Sequence, residues 1–177
     1  MPTQNRNRST SMIIMAGILA AVAVVLHIAE SFLPPLTTLP GIKLGIANAV
    51  VVFAAYYLDF GCAAAIQIVR ILVGALLSGN VVSAFYSISG GAAALTVIRF
   101  LHLRPSQMWA VSAFAAIANS IGQIIIAFFA LLSEGVFAYL PYMIIASVIA
   151  GTFTGLCAQA VYFKIKVSEN AKKRSKN

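Results

Sequence analysis

Apolar runs long enough to cross a bilayer recur along this chain from Met12 to Phe163, separated only by short polar or helix-breaking turns. Charged residues are 9% of the 177 positions and hydrophobic ones 61%, whereas a soluble domain carries about a quarter charged residues. No water-soluble core of this length can hide so much apolar surface. The pattern requires lipid as the solvent, and the expected fold is an all-α bundle of six transmembrane helices.

The breaks divide the chain as follows. Helix one is expected from Met12 to Leu33, stopped by Pro34-Pro35, and helix two from Ile42 to Leu58. Asp59-Phe60-Gly61 turns the chain into helix three, which ends near Leu77, and Ser78-Gly79-Asn80 leads to helix four, Val81 to Leu101. Pro105 suits the first turn of helix five, which runs to Leu132, and Ser133-Glu134-Gly135 precedes helix six, Tyr139 to Phe163. Helices two and three, at about 17 residues each, are at the lower limit for a span. The first run extends for about six turns, too long for the apolar core of a signal peptide.

The formal charge of +8 is unevenly distributed. Arg6, Arg8, Arg99, Arg104, Lys164, Lys166, Lys172, Lys173, Arg174 and Lys176 fall on one side of an alternating six-span path, and only Lys43 falls near a loop on the other. By the positive-inside rule both termini are cytoplasmic, in a multi-pass protein of the cell membrane. The chain then divides into a cytoplasmic segment, residues 1–11, a transmembrane domain, 12–163, and a basic cytoplasmic tail, 164–177. The polar ends are expected to be mobile, with the tail drawn to anionic lipid rather than to nucleic acid. Cys62 and Cys157 read as reduced packing residues, and neither they nor His27 and His102 have metal-ligand spacing.

Polar side chains inside a membrane are costly. His27, Glu30, Asn48, Gln67, Arg70, Ser83, Tyr86, Ser87, Asn119 and Gln123 all fall within predicted spans. From a rise of about 1.5 Å per residue, most of them converge on the outer half of the bundle. Asn, Gln and Ser often serve only as interhelical hydrogen bonds of about 0.6 kcal/mol each. Arg70 is different, because a guanidinium in mid-span needs a carboxylate, carbonyls or a bound anion. A structural pair with Glu30 and a substrate pocket are both open readings. The expected pocket faces outward and combines Glu30, Lys43, Asn48, Arg70, Asn80, Tyr86, Asn119 and Gln123. On helix one, Ala16, Ala20, Ala23, His27 and Glu30 share a stripe, with Gly17 and Ala21 alongside. Such small-residue surfaces let another helix approach closely. Ser147, Gly151 and Gly155 on helix six form a similar surface, expected to pack within the bundle.

The chain has one aspartate, Asp59, so no Asp-rich cluster can hold magnesium as prenyl diphosphate synthases do. It has no phosphate-binding loop and no Ser/His/Asp or Cys/His set. The expectation is a protein that is not an enzyme and carries no cofactor.

Pro40 to Asn48, PGIKLGIAN, resembles the hallmark of the Gx transporter family, also labelled heptaprenyl diphosphate synthase component I. Further matching features are Arg70 to Gly74, Gly79-Asn80, Tyr86-Ser87 with Gly90-Gly91, and Asn119 with Gly122-Gln123. That family in turn resembles the substrate-binding subunits of energy-coupling factor vitamin importers. The resemblance implies six helices, an outward-facing site, and a small-residue surface on helix one that meets a coupling subunit; Ala16, Gly17, Ala20 and Ala21 match it. Two functions follow. One is a substrate-binding transport subunit for a small anionic cofactor or precursor, energised by a membrane coupling subunit with ATPases. The other is a non-catalytic scaffold for an isoprenoid- or quinone-linked enzyme such as a prenyl synthase.

Overall fold

The computed structural model describes residues 3–32, 45–79, 81–101 and 104–174; the side chains of 3–9, 31, 78 and 172–174 fall outside that description. Among the described residues six α-helices follow one another: α1 (Thr3–Ser31), α2 (Asn48–Tyr57), α3 (Phe60–Ser78), α4 (Val81–Phe100), α5 (Met108–Leu131) and α6 (Leu140–Arg174). There is no strand among the described residues, and short 3-10 turns precede α5 and α6. Pro34-Pro35, Lys43, Asn80 and His102 lie outside the described residues.

Local chemistry fixes the helix ends. Asp59 caps α3, its Oδ1 accepting the Cys62 N–H at 2.6 Å. Gly79 closes the same helix in the left-handed conformation, φ 59°. Arg104 precedes Pro105 in extended backbone, and the proline starts the turn into α5, where no intrahelical donor is lost. Mid-helix Thr96 and Thr154 return their hydroxyls to the carbonyls of Ala92 and Ala150, at 2.9 and 2.8 Å.

The outer surface of the bundle is apolar as well as its core, unlike that of a soluble protein. Ile13, Leu76, Phe100 and Phe153 point outward, while His27, Glu30, Asn48, Gln67, Arg70, Asn119 and Gln123 are buried. Among the described residues, five helices are long and apolar enough to cross a membrane. This is a membrane-spanning helical bundle. α2 sits at its centre, in contact with all five other helices, and Asn48 to Ala54 are buried without interruption.

Three boundaries differ from the sequence reading. α2 begins at Asn48 instead of Ile42, because Gly45 adopts φ +82° and the following residues form a turn. Its ten residues span about 15 Å, half a hydrocarbon core. α1 begins at Thr3 and α6 continues to Arg174, so residues expected to be mobile join the adjoining helices. Gln, Arg, Ala, Lys and Glu in those ends favour helix, and a helix can continue past the bilayer surface. The helix-six surface packs inside the bundle as expected. A methyl placed on Gly151 would lie 2.8 Å from the Ala113 Cα, and the Ser120 and Ser147 hydroxyls meet at 2.6 Å.

Candidate substrate-binding site

His27 and Glu30 from α1, Gly45 before α2, Arg70 from α3, Ser87 from α4, and Asn119 and Gln123 from α5 surround one cavity. Helical spacing explains the convergence. His27 and Glu30 are three residues apart and Asn119 and Gln123 four, so each pair shares a face. Glu30 is in the last turn of α1, and Arg70 lies about 12 Å inside the end of α3. The His27 ring packs directly over Gly74, where any side chain would collide with it.

Glu30 anchors this cluster. Its Oε1 accepts the backbone N–H groups of Gly45 and, at 3.0 Å, Ile46. Two converging peptide donors are a strong, charge-assisted arrangement for a buried carboxylate. The same carboxylate interacts electrostatically with the Arg70 guanidinium. Arg70 is 2% exposed, and its Nε makes no hydrogen bond. Asn48 and Gln67 are equally buried, and neither amide finds a partner at its oxygen or nitrogen. An unmet buried polar group costs about 1–3 kcal/mol, more when charged. Of the three, Arg70 lines the cavity, whereas Gln67 borders a separate apolar groove with Ile71 and Ala92.

The space between the side chains is about 10 Å³, room for a single water at most. Among the described residues that space is too small for an organic solute.

Of the eight anticipated binding residues, Glu30, Arg70, Asn119 and Gln123 line the cavity. Asn48 lies just beside it: a methyl on Gly45 would come within 2.8 Å of Asn48 Nδ2 and 2.9 Å of Asn119 Nδ2. Tyr86 instead packs with Ile124, Ala127, Val136 and Met143 in a separate apolar cluster. Lys43 and Asn80 fall outside the described residues. Three lining residues were absent from the anticipated set. His27 had a signal, its place one turn before Glu30, and Ser87 adjoins Tyr86. Gly45 contributes backbone and a turn, which no side-chain pattern reveals.

The α1 small-residue stripe divides. Ala16 and Ala20 are half-buried against the inner core, whereas Gly17 and Ala21 are exposed, with nothing within 4 Å of where a Gly17 side chain would start. Among the described residues no group of three His, Cys, Asp or Glu side chains could hold a metal ion.

Residues 19–161 match the family described as heptaprenyl diphosphate synthase component I, and the chain belongs to that family. No curated protein and no solved structure matches it.

Proposed function

Starting from its membership of that family, we propose that the chain is a membrane-embedded binding subunit for uptake of a small organic anion, a cofactor or its precursor. The carrying observation is Arg70: a fully buried guanidinium with an unsatisfied Nε, ringed by Ser87, Asn119 and Gln123. A ligand carboxylate or phosphate supplies the missing acceptors, and the amides and hydroxyl supply direction. Glu30 serves as the anchor that holds the α2 turn and balances Arg70. Lys43 and Asn80 belong to the same site on sequence grounds. The closed cluster is then the ligand-free arrangement, and α1 or the Gly45 turn must shift to admit a solute.

On this reading the protein lies in the cell membrane with both termini cytoplasmic, performs no catalysis, and is energised by a coupling subunit with ATPases. Gly17 and Ala21 offer that partner a close-approach surface on α1. A second reading, an accessory subunit of a prenyl synthase, draws on the family's description. It also draws on the helical extensions of α1 and α6 beyond their apolar spans, a platform for a soluble enzyme.

The test is thermal stabilisation of the purified protein across a panel of small carboxylates, vitamin acids, flavins and isoprenoid phosphates. Saturable stabilisation by one small anion, with no co-purifying synthase, supports the binding subunit. Stabilisation only by a synthase partner selects the second reading.

A further inference from the structure

Helices α1, α2 and α6 border two further spaces stacked on one seam. The first is a groove of about 500 Å³ lined by Leu19, Leu26, Phe53, Phe153, Ala158 and Val161 among others, almost wholly apolar. The second is a polar pocket of about 370 Å³ at the C-terminal end of α2, between the first half of α1 and the last third of α6, lined by Ser11, Met15, Tyr56, Tyr57, Lys166 and Glu169 among others. Register joins the two. Met15 is one turn from Leu19, Phe53 one turn from Tyr57, and Val161 two turns from Glu169.

An apolar groove with a polar pocket one to two turns further along the same helices has the polarity of a lipid. Val22, Phe153 and Val161 on its rim are exposed, so the groove is open along its length on the outer surface of the bundle.

The head group follows from charge. Lys166 and Glu169 are three residues apart, on one face of α6. The Lys166 Nζ lies 5.4 Å from the Tyr162 ring centre, and Glu169 Oε1 accepts the Tyr57 hydroxyl at 2.8 Å. A cation beside an anion suits a zwitterion: a phosphate towards Lys166, an ammonium towards Glu169. An anionic head would meet the Glu169 carboxylate, and a bulky quaternary ammonium could not donate to it. We propose that this seam binds an aminophospholipid of the phosphatidylethanolamine class, one acyl chain in the groove and the phosphoethanolamine head between Lys166 and Glu169. The proposal rests on neither reading of the function.

The test uses the full chain, delipidated in maltoside and titrated with dioleoyl phosphatidylethanolamine, phosphatidylglycerol or phosphatidylcholine, bound lipid being counted by native mass spectrometry. Phosphatidylethanolamine should bind at least tenfold more tightly than the other two. Lys166→Gln with Glu169→Gln should level that preference, and Ala158→Phe should block the groove. Should Ala158→Phe fail to fold, maleimide labelling of the groove-lining Cys157, in a Cys62→Ala background, reads the same occupancy. Phosphatidylethanolamine should protect that thiol and phosphatidylcholine should not. Equal binding of all three lipids, preference for phosphatidylglycerol, a preference that survives the double substitution, or an unprotected Cys157 would overturn the proposal.

Discussion

The Glu30 carboxylate on α1 accepts the backbone N–H of Gly45, and with it that of Ile46, and so ties the far end of α1 to the turn that enters α2. The anchor changes the meaning of the Glu30–Arg70 relationship. Glu30 is partly committed to the backbone, and Arg70 keeps an unsatisfied Nε within a ring of amides and a hydroxyl.

The turn itself depends on glycine. At φ +82° an L side chain is strained by about 1–2 kcal/mol, and its Cβ would press on the Asn48 and Asn119 amides. Gly45→Ala should therefore lower the melting temperature by several degrees and weaken ligand binding together. A thermal-stability assay with and without ligand reads both, and an unchanged melting temperature would show that the turn relaxes freely.

Small residues divide into those the fold requires and those it leaves available. Gly151→Leu should unfold or strongly destabilise the protein, because its side chain would enter the Ala113 and Ala116 contact; overpacking of this kind costs about 1–3 kcal/mol. Gly17→Leu meets open space and should leave the melting temperature unchanged. Co-purification of a membrane partner is the second readout. Loss with Gly17→Leu assigns the exposed stripe to a partner, and full retention removes it from that role.

Much of the bundle was legible in the sequence because lipid makes span length and polarity strict. The Asp59 and Gly79 punctuation placed the ends of α3 within a residue or two, and Pro105 opens the 3-10 turn that leads into α5 at Met108. The start of α2 was not legible: Ile42 to Ala47 is as apolar as the helix that follows, and only the Gly45 backbone angle separates them. The α1 and α6 extensions were missed because polarity was read as disorder, whereas a helix needs only suitable residues. Depth estimates placed Glu30, Arg70, Asn119 and Gln123 at a similar height, and the four line one cavity. They grouped Tyr86 with these residues, whereas its ring joins the apolar cluster around Met143. Depth fixes height along a helix, not the direction in which a side chain points.

Orientation is open to chemical labelling. In a chain with Cys62→Ala and Cys157→Ala, a cysteine at Ser133 should react with an impermeant maleimide on intact cells, and one at Ser106 should not. The charge bias demands this outcome; labelling at Ser106 alone would invert the topology.

The central claim is that Arg70 serves a ligand and not merely Glu30. The direct measurement is a two-residue cycle, Arg70→Gln, Glu30→Gln and the double variant, with anion affinity and melting temperature recorded for each. Losing a hydrogen bond to a charged group costs about 1.5–3 kcal/mol, so Arg70→Gln should weaken affinity by about 10- to 100-fold. Adding Glu30→Gln should not restore stability, because the Gly45 and Ile46 N–H groups then lose their carboxylate. Unchanged affinity in Arg70→Gln, with a melting temperature rescued in the double variant, would reduce the cluster to a structural ion pair and contradict the binding site.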